Sequence, residues 1–494
     1  MSKKNQNYTN RKQNRFQPER MRGNVFVNNS GKQWLPGENG RAAKVERLLK
    51  GAKEEKKEIA GNMAGYKDSG VEWIGAIPKE WKFVPLKDSF YFVAGGTPLS
   101  NVLSNWDEGV AWVTPADFKT DKMYISKGAR SLSKKGYQSC NAKMLPPGSI
   151  IFSKRAPIGS VAINTAELCT NQGCIGLLNK TKNANNKYFY YILSIATQTF
   201  EALGAGVTFK EISIKNFGNV SLPLPPIHEQ QRIADFLDAK CGILDRTIDA
   251  VSRQIEDLEK YKKALITKTV TKGICKKDEP ERAMKDSGVE WIGEVPEEWN
   301  VKPFKALAGM KGSSEYTARD IVDEDEGVIL LSPSNINDNK LNLSKRTYIS
   351  QKKYDKSTTK IQRGDLLFTK TASVGKCVIY DSDEPAMPNP QLVVLKNIKC
   401  LPKFLYYSMV SDVMQAPTKM YVYGSVIPTI SQLNLGRIKI PVPSPEEQQQ
   451  IADYLDEKCN NIDNRVQKRR QQLEWLKEYK KSLIFDYVTG KKRV

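Results

Sequence analysis

The sequence contains little that could carry catalysis. Its single histidine, His228, aligns with Glu446 in an internal repeat of the chain, and a duplicated metal or acid–base site would not tolerate that exchange. No Gly-x-x-x-x-Gly-Lys-[Ser/Thr] phosphate loop occurs, and no Gly-x-Gly-x-x-Gly motif follows a strand. Asn389-Pro390 is followed by Gln391, not by the proline and aromatic residue with which an adenine amino-methyltransferase holds a flipped base. These absences indicate a chain that binds rather than catalyses.

Long apolar runs and paired cysteines are also missing. No uninterrupted apolar stretch approaches the ~20 residues that span a bilayer, and the polar, basic N-terminus has no apolar segment typical of a secretory signal. The 8 cysteines include no Cys-x-x-Cys pair, so they form neither a disulfide framework nor a zinc pattern. The sequence therefore predicts a cytoplasmic protein with reduced cysteines, no membrane anchor, and no metal or cofactor bound by this chain.

Negative charge is in short supply as well. The 494 residues contain 77 Lys and Arg against 55 Asp and Glu, which gives a net charge of +22. Such a balance predicts a polyanionic partner, nucleic acid before an acidic membrane surface. Residues 1–62 hold 15 of the basic and 6 of the acidic residues and have no copy elsewhere in the chain. They are predicted to be a disordered basic extension, with Met63 as an alternative translation start.

The most informative feature present is a tandem duplication. Residues 67–87 match residues 285–305 at 14 of 21 positions, and both blocks begin with Lys-Asp-Ser-Gly-Val-Glu-Trp-Ile-Gly. Residues 223–243 match residues 441–461 at 12 of 21 positions, including Glu-Gln-Gln, Ile-Ala-Asp and Lys-Cys. Both matches have the same offset of 218 residues, which identifies two copies of one unit. The block at 67–87 and its copy at 285–305 are called the first and the second strap here. Their tryptophans and prolines predict buried contacts that fasten each strap to a folded body.

Two globular bodies lie between these blocks, at residues 83–225 and 301–443. Short apolar runs alternate there with turn signals, as in the strand–loop–strand units predicted at 149–163 and 365–379. Aromatic runs beginning at Tyr188 and Phe404 predict helices that pack on the sheets. We therefore expect two homologous α/β (α+β) bodies.

A long helix is predicted after each body. Heptad seams start at Ala234 and Ala452, and 17 of their 20 a and d positions are apolar, which favours a coiled coil over an ordinary helix face. Lys262 and Lys480 are two of the polar exceptions. The simplest packing is an antiparallel pair that holds the bodies apart at a fixed distance. Each long helix also carries an aspartate with a lysine two residues later. We expect these aspartates to be solvated charges and not part of a nuclease carboxylate cluster. These are Asp238 and Asp456.

The chain is thus divided into five predicted segments. They are a basic extension at 1–62, the first body with its strap at 63–225, a spacer helix at 226–272, the second body with its strap at 273–443, and a second spacer helix at 444–490.

Two like bodies on a stiff spacer suit DNA, because a duplex presents equivalent major-groove faces ~34–36 Å apart. Since the bodies differ in sequence, the two half-sites should differ too. Lys and Arg would bind phosphates, and polar loop residues would read base edges. The candidate DNA contacts are Thr97, Ser100, Ser153, Lys154, Arg155, Asn171, Gln172, Thr208 and Lys210 in the first body, and Ser313, Ser314, Asn335, Thr369, Lys370, Thr371, Asn389, Gln391 and Ser425 in the second.

Over residues 64–490 the chain closely resembles the specificity subunits of type I restriction–modification enzymes. Three features carry the resemblance: the strap motif, the Pro-x-Pro…Glu-Gln-x-x-Ile-Ala-x-x-Leu-Asp opening of each long helix, and Gly-Gly-Thr-Pro at 95–98 in the first body. The second body departs from the pattern. It lacks Gly-Gly-Thr-Pro, and it has Ser-Pro-Ser-Asn at 332–335 where the first has Thr-Pro-Ala-Asp at 114–117.

The resemblance implies that each body is a target recognition domain and that the coiled coil is the spacer. It also implies two methylation subunits that bring S-adenosylmethionine, and two restriction subunits that bring ATP, Mg and DNA cleavage. On that view double-stranded DNA is the ligand, and this chain is not an enzyme by itself. Two alternatives stay open at this point. One is a coiled-coil scaffold whose charge is incidental, and the other is an enzyme in its own right.

Overall fold

The computed structural model describes residues 65–118, 122–155, 157–206, 210–274 and 282–494. The predicted basic extension at 1–62 and the alternative start at Met63 lie outside this part of the chain.

The first half combines short strands with helices of very different lengths. Its described strands are β1 (Tyr66–Asp68), β2 (Ala76–Pro78), β3 (Lys82–Pro85), β4 (Phe90–Ala94), β5 (Trp106–Val113), β6 (Tyr124–Ile125), β7 (Arg130–Leu132), β8 (Ile150–Ser153), β9 (Val161–Asn164), β10 (Cys169–Thr170), β11 (Cys174–Asn179) and β12 (Ser221–Leu224). Its described helices are α1 (Leu86–Ser89), α2 (Lys134–Gln138), α3 (Asn186–Ile195), α4 (Thr197–Ala202), α5 (Ile214–Asn219) and α6 (Ile227–Lys272).

The second half repeats this order with small changes. Its described strands are β13 (Met284–Asp286), β14 (Glu294–Pro296), β15 (Asn300–Pro303), β16 (Gly309–Lys311), β17 (Ile321–Val322), β18 (Gly327–Leu331), β19 (Ile336–Asn337), β20 (Lys340–Leu341), β21 (Tyr348–Ser350), β22 (Leu366–Thr369), β23 (Cys377–Ile379), β24 (Ala386–Pro388), β25 (Leu392–Lys396) and β26 (Lys439–Val442). Its described helices are α7 (Phe304–Leu307), α8 (Gln351–Asp355), α9 (Pro402–Val410), α10 (Asp412–Tyr421), α11 (Gln432–Arg437) and α12 (Pro445–Val488).

Each body is built on two sheets that have equivalent partners in the other body. One sheet, called the larger sheet here because it has five strands against three in the first body, has the order β4-β11-β8-β9-β6 in the first body and β16-β25-β22-β23 in the second, where both sheets have four strands. The smaller sheet has the order β10-β5-β7 in the first and β17-β21-β18-β24 in the second, with one parallel pair in each. The tandem α+β organisation predicted from the repeat is therefore confirmed.

The central strand of each larger sheet is apolar without alternation because both of its faces are covered. Ile150 and Phe152 of β8 face the cluster that includes α3, while Ile151 faces the smaller sheet. In β22, Leu366 and Phe368 face α9, and Leu367 faces the other side. Successive strand residues point to opposite faces, so two packed layers require a continuous apolar run.

The two long helices pack against each other as the heptad pattern predicts. Leu237, Leu244 and Val251 of α6 are buried in one cluster with Ile462 and Leu476 of α12. At ~1.5 Å per residue, the 46 residues of α6 span about 69 Å. The two helices run antiparallel, and the pair is called the rod here. One helix start and one helix end lie next to each body.

The two lysines that interrupt the apolar seam are matched across the rod. Lys262 Nζ lies 2.7 Å from Asp463 Oδ1, and Lys480 Nζ lies 2.5 Å from Asp245 Oδ1. The two pairs are related by the 218-residue offset of the repeat. A polar seam position with a specific partner fixes the register of a coiled coil, so these pairs fix the axial alignment of α6 and α12.

Asp463→Asn is expected to lower the free energy of unfolding by about 1–2 kcal/mol at pH 7, because Asp463 also pairs with Lys340 of the second body. Burial alone would raise the pKa of Asp463, but the hydrogen bonds and charges of Lys262 and Lys340 outweigh it and lower the pKa. The carboxylate therefore stabilises the fold above its unfolded pKa, near ~3.9, and this contribution is lost as the pH falls through the folded pKa. Urea titrations at about pH 7 and at about pH 2.5, which lies below the unfolded pKa, should show that the difference in the free energy of unfolding between wild type and variant becomes smaller at the lower pH. Asp453→Asn, at an exposed position on the same helix, is the control.

The two repeated sequence blocks contact each other in both halves. The fully buried indole of Trp81 in the first strap donates to Glu229 Oε2 at 3.1 Å, at the start of α6. In the second half, Trp299 donates to Glu447 Oε2 at 2.8 Å, at the start of α12. The repeated Trp and the repeated Glu-Gln-Gln are therefore two sides of one joint between strap and rod.

Each strap also packs on the end of the other long helix. In the first strap, Trp73 lies 6.4 Å from the ring of Phe485, and Tyr66 donates to the Gly490 carbonyl at 2.9 Å, both near the end of α12. In the second strap, Val295 is buried with Val270 near the end of α6. Because each body contacts one helix start and one helix end, the bodies sit at opposite ends of the rod.

The prediction that Asp238 and Asp456 are solvated charges is wrong. Tyr191 donates to Asp238 at 2.7 Å, and Tyr407 donates to Asp456 at 2.6 Å, so each carboxylate joins a body helix to the rod. Both carboxylates serve as structural acceptors in these contacts.

Candidate nucleic-acid interface

The predicted contact loops of the first body meet beside the end of β8. The Lys154 amide donates to the Gly173 carbonyl at 2.8 Å, and the Ile212 amide donates to the Lys154 carbonyl at 3.0 Å. The Gly96 amide donates to the Thr170 carbonyl at 2.8 Å, which brings the Gly-Gly-Thr-Pro loop to the same place. These backbone contacts gather loops that are more than 100 residues apart in the sequence.

Side chains in this cluster combine positive charge with one carboxylate. Lys154 and Arg155 both pair with Glu211, with a distance of 3.4 Å from Arg155 Nη1 to Glu211 Oε2. The hydrogen bond from Lys154 lowers the pKa of Glu211 and outweighs the opposite effect of its partial burial. The hydroxyl of exposed Thr97 is hydrogen-bonded to the exposed Gln172 amide. The cluster therefore offers fixed donors and acceptors as well as charge. Ser100 and Lys210 are exposed near these loops.

The second body repeats the backbone contacts with different side chains. The Lys370 amide donates to the Gln391 carbonyl at 2.9 Å, and the Ile430 amide donates to the Lys370 carbonyl at 2.9 Å. Thr371 forms a β-bridge to Thr429, as Arg155 does to Glu211 in the first body. Ser425 is exposed on the turn of the hairpin 423–429. In the loop of Ser313 and Ser314, Ser314 contacts Thr358.

Three of the predicted contact residues are committed to the fold instead. Ser153 is fully buried, and its hydroxyl donates to the Pro157 carbonyl at 2.5 Å. Fully buried Thr369 makes the equivalent bond to the Ser373 carbonyl. Asn335 is also buried and donates to the Lys345 carbonyl at 2.9 Å. These side chains shape the loops from inside, so they are not among the residues that we assign to DNA contact.

Two further predicted residues mainly form turns. Asn171 Oδ1 accepts from the Gly173 amide at 2.9 Å, and Asn389 Oδ1 accepts from the Gln391 amide at 2.6 Å. An Asx turn of this kind uses the side-chain oxygen and leaves the amide nitrogen available as a donor. Thr208 lies outside the described residues.

The sequence prediction missed Glu211 and an exposed apolar hairpin tip. Tyr423, Val426 and Ile427 of the second body are 57%, 90% and 58% exposed, and large exposed apolar groups of this kind mark interaction sites. The sequence did contain a signal for Glu211, which is the alignment of residues 205–212 with residues 423–430 at the 218-residue offset of the repeat. It places Glu211 opposite Thr429 in a stretch, 413–445, that has no acidic residue at all in the second copy.

Positive charge is concentrated away from the rod. Helices α6 and α12 together contain 17 Lys and Arg and 17 Asp and Glu, so the rod is neutral. Because the chain carries +22 and residues 1–62 carry +9, the remaining +13 belongs to the bodies, straps and connecting segments. Among the described residues there is no cluster of His, Cys, Asp and Glu that could hold a metal ion. None of the helices in the same ranges is long and apolar enough to cross a membrane.

Two like bodies with basic and polar loops, fastened to opposite ends of a neutral helical rod, define a bipartite binding protein for an extended polyanion. Comparison with known proteins makes this class specific. The family model described as the type I restriction modification DNA specificity domain matches residues 78–260 and again 296–474. The chain therefore belongs to that family and carries two copies of its domain.

Individual relatives agree with the family assignment. The MjaIX specificity subunit of Methanocaldococcus jannaschii, a type I restriction enzyme subunit, is 27% identical over 440 residues, which cover 85% of this chain and 95% of the relative. The EcoBI specificity subunit of Escherichia coli is 26% identical over 313 residues, 58% of this chain and 64% of the relative. A chain solved in work on complex assembly and conformational transition of the type I R-M system has a TM-score of 0.64. It is 16% identical and covers 84% of this chain and 99% of its own length, which shows the shared fold.

Proposed function

We propose that this chain is the specificity subunit of a type I restriction–modification system and recognises a bipartite, asymmetric DNA site in the cytoplasm. The observation that carries the proposal is the pairing of identical backbone contacts with different side chains at the two ends of one rod. Equal scaffolds place two sets of loops on a shared duplex, and unequal side chains read two different half-sites. A scaffold without sequence preference would have no need for this arrangement.

In this proposal the chain supplies recognition and its partners supply the chemistry. Two methylation subunits would bind S-adenosylmethionine, and two restriction subunits would use ATP and Mg. The bodies would contact phosphates through residues such as Lys210 and Lys370, and base edges through residues such as Arg155, Gln172 and Gln391. The outer surface of the rod is available to dock the methylation subunits, because its own seam faces inward.

Methylation mapping of the host genome tests the proposal directly. A split motif with methylated adenines in both halves is expected, and deletion of this chain should remove the motif. Selection from random duplexes by the complex with its methylation subunits should return the same split site, with an affinity that falls steeply as salt rises. The absence of any sequence preference in that selection would favour the scaffold.

Exchange of the bodies should separate the two half-sites. When residues 83–225 are replaced by the first body of another family member, we expect the first half-site to change and the second to stay the same. The physical reason is that each body has its own core and contacts DNA through its own loops. Methylation mapping of the hybrid reads both halves at once. The reverse hybrid, with residues 301–443 exchanged, is the matched control, and a change in both halves of either hybrid would contradict independent reading.

A further inference from the structure

The two bodies differ in charge at one equivalent position of their loop clusters. In the first body Glu211 pairs with both Lys154 and Arg155. In the second body the same position of the hairpin is Thr429, whose hydroxyl contacts the Ile427 carbonyl at 3.4 Å. The backbone is held alike at these two positions, since residues 205 and 211 form the same β-bridge as residues 423 and 429.

This difference changes what the basic side chains can do. The Lys154 side chain is only 14% exposed and its ammonium group is held by a carboxylate. Lys370 has no acidic partner among the residues that the structure describes. A free ammonium group binds phosphate regardless of sequence, whereas a cation held beside a carboxylate loses part of its attraction for phosphate.

The carboxylate also adds a selective acceptor. In the major groove a glutamate accepts from the N4 amino group of cytosine, and a fixed guanidinium donates to O6 and N7 of guanine. The Glu211 carboxylate therefore presents a hydrogen-bond acceptor, and the Arg155 guanidinium presents two donors. Their ion pair fixes the position of one relative to the other. Nothing in the described part of the second body offers the same combination at this place, because its equivalents are Thr429 and Thr371.

We infer that Glu211 is a specificity-determining positioning residue of the first body. It withholds the charges of Lys154 and Arg155 from the phosphate backbone and fixes Arg155 for base reading. The first body thus discriminates better between base sequences but binds phosphates less strongly. The second body binds phosphates more strongly and discriminates less between base sequences. This inference rests on the proposed function, since it assigns a role at the same interface.

Reciprocal substitutions in the full chain, bound to its methylation subunits, test the inference. Glu211→Thr gives the first body the residue of the second, and Thr429→Glu does the reverse. Affinity for the natural site and for sites mismatched in one half is measured by fluorescence anisotropy across a series of salt concentrations. Glu211→Gln keeps the size of the side chain and removes its charge, so it separates charge from shape.

For Glu211→Thr we expect the plot of log affinity against log salt to become steeper by about one to two, since each added phosphate contact contributes ~0.9. Discrimination against mismatches in the first half-site should fall about tenfold, and discrimination in the second should not change. Glu211→Gln should share the steeper salt dependence. Thr429→Glu should make the salt dependence shallower by about one and leave the first half-site unchanged.

Unchanged salt dependence and unchanged first-half discrimination in Glu211→Thr would overturn the inference. Misfolding is recognised separately, because a misfolded first body would also lose affinity for its natural half-site and lower the melting temperature. If wild type itself prefers no split site, the proposed function fails instead. If wild type is specific but the variants behave like it, only the role of Glu211 fails.

Discussion

Replacing Trp81 by alanine is expected to lower the free energy of unfolding by about 3–5 kcal/mol, the largest stability effect that the structure predicts. Trp81 is fully buried where the first strap meets the rod, so its loss leaves a large cavity. It also removes the indole donor of Glu229, a carboxylate that is only 8% exposed. A buried acceptor that loses its partner adds its own desolvation cost.

The equivalent change in the second half should cost less. Trp299 is equally buried, but its acceptor Glu447 keeps Arg282, whose Nη1 lies 2.6 Å away. Trp81→Phe keeps most of the buried volume and removes only the indole donor, so its effect should fall well below that of Trp81→Ala. Urea unfolding followed by circular dichroism avoids the loss of a fluorescent reporter. Equal midpoints for Trp81→Ala and the half-buried control Trp73→Ala would contradict the proposed joint.

Inserting four residues after Glu256 in α6 is expected to change the gap between the half-sites or abolish binding. Four residues add ~6 Å to the helix and rotate its C-terminal part by about 40°, so the apolar stripe still faces α12. The second body would then be displaced along the rod by up to about two base-pair steps. Lys262 would move away from Asp463, while the pair formed by Lys480 and Asp245 lies before the insertion and would stay.

Methylation mapping of cells that carry the insertion measures the gap in base pairs. The matched control is a four-residue insertion after Ser382, in a turn of the second body where the side chain of Asp383 is 79% exposed. That insertion should leave the gap unchanged. Wild-type spacing together with wild-type affinity in the Glu256 insertion would show that the rod does not set the distance.

The organisation of the chain was predictable because its signals are local or repeated. A 218-residue offset shared by two blocks identifies a duplication without any knowledge of contacts. The heptad pattern of the long helices follows from residues three and four apart, which lie on one face of any helix. The strand–loop–strand units were predictable for the same reason, since Pro-Gly and apolar runs determine turns and strands over a few residues. These features gave the two bodies, the rod and the loops that carry the candidate interface.

The candidate site itself was predicted only at the level of loops. Ser153, Thr369 and Asn335 have the composition of surface turns, yet their side chains satisfy backbone groups inside those turns. Sequence spacing does not indicate whether a hydroxyl points outward or closes its own loop. That choice depends on the neighbouring strand and on which buried donors still lack a partner.

What the sequence determined by itself is therefore the repeat, the helical seam and the positions of the turns, because each depends on neighbours along the chain. Tertiary structure alone decided which distant groups meet. The indole of Trp81 reaches Glu229 across 148 residues, Lys480 reaches Asp245 across 235, and Glu211 reaches Lys154 across 57. Hydrogen bonds and ion pairs act over a few ångströms, so their partners are set by how the folded elements pack and not by distance along the sequence.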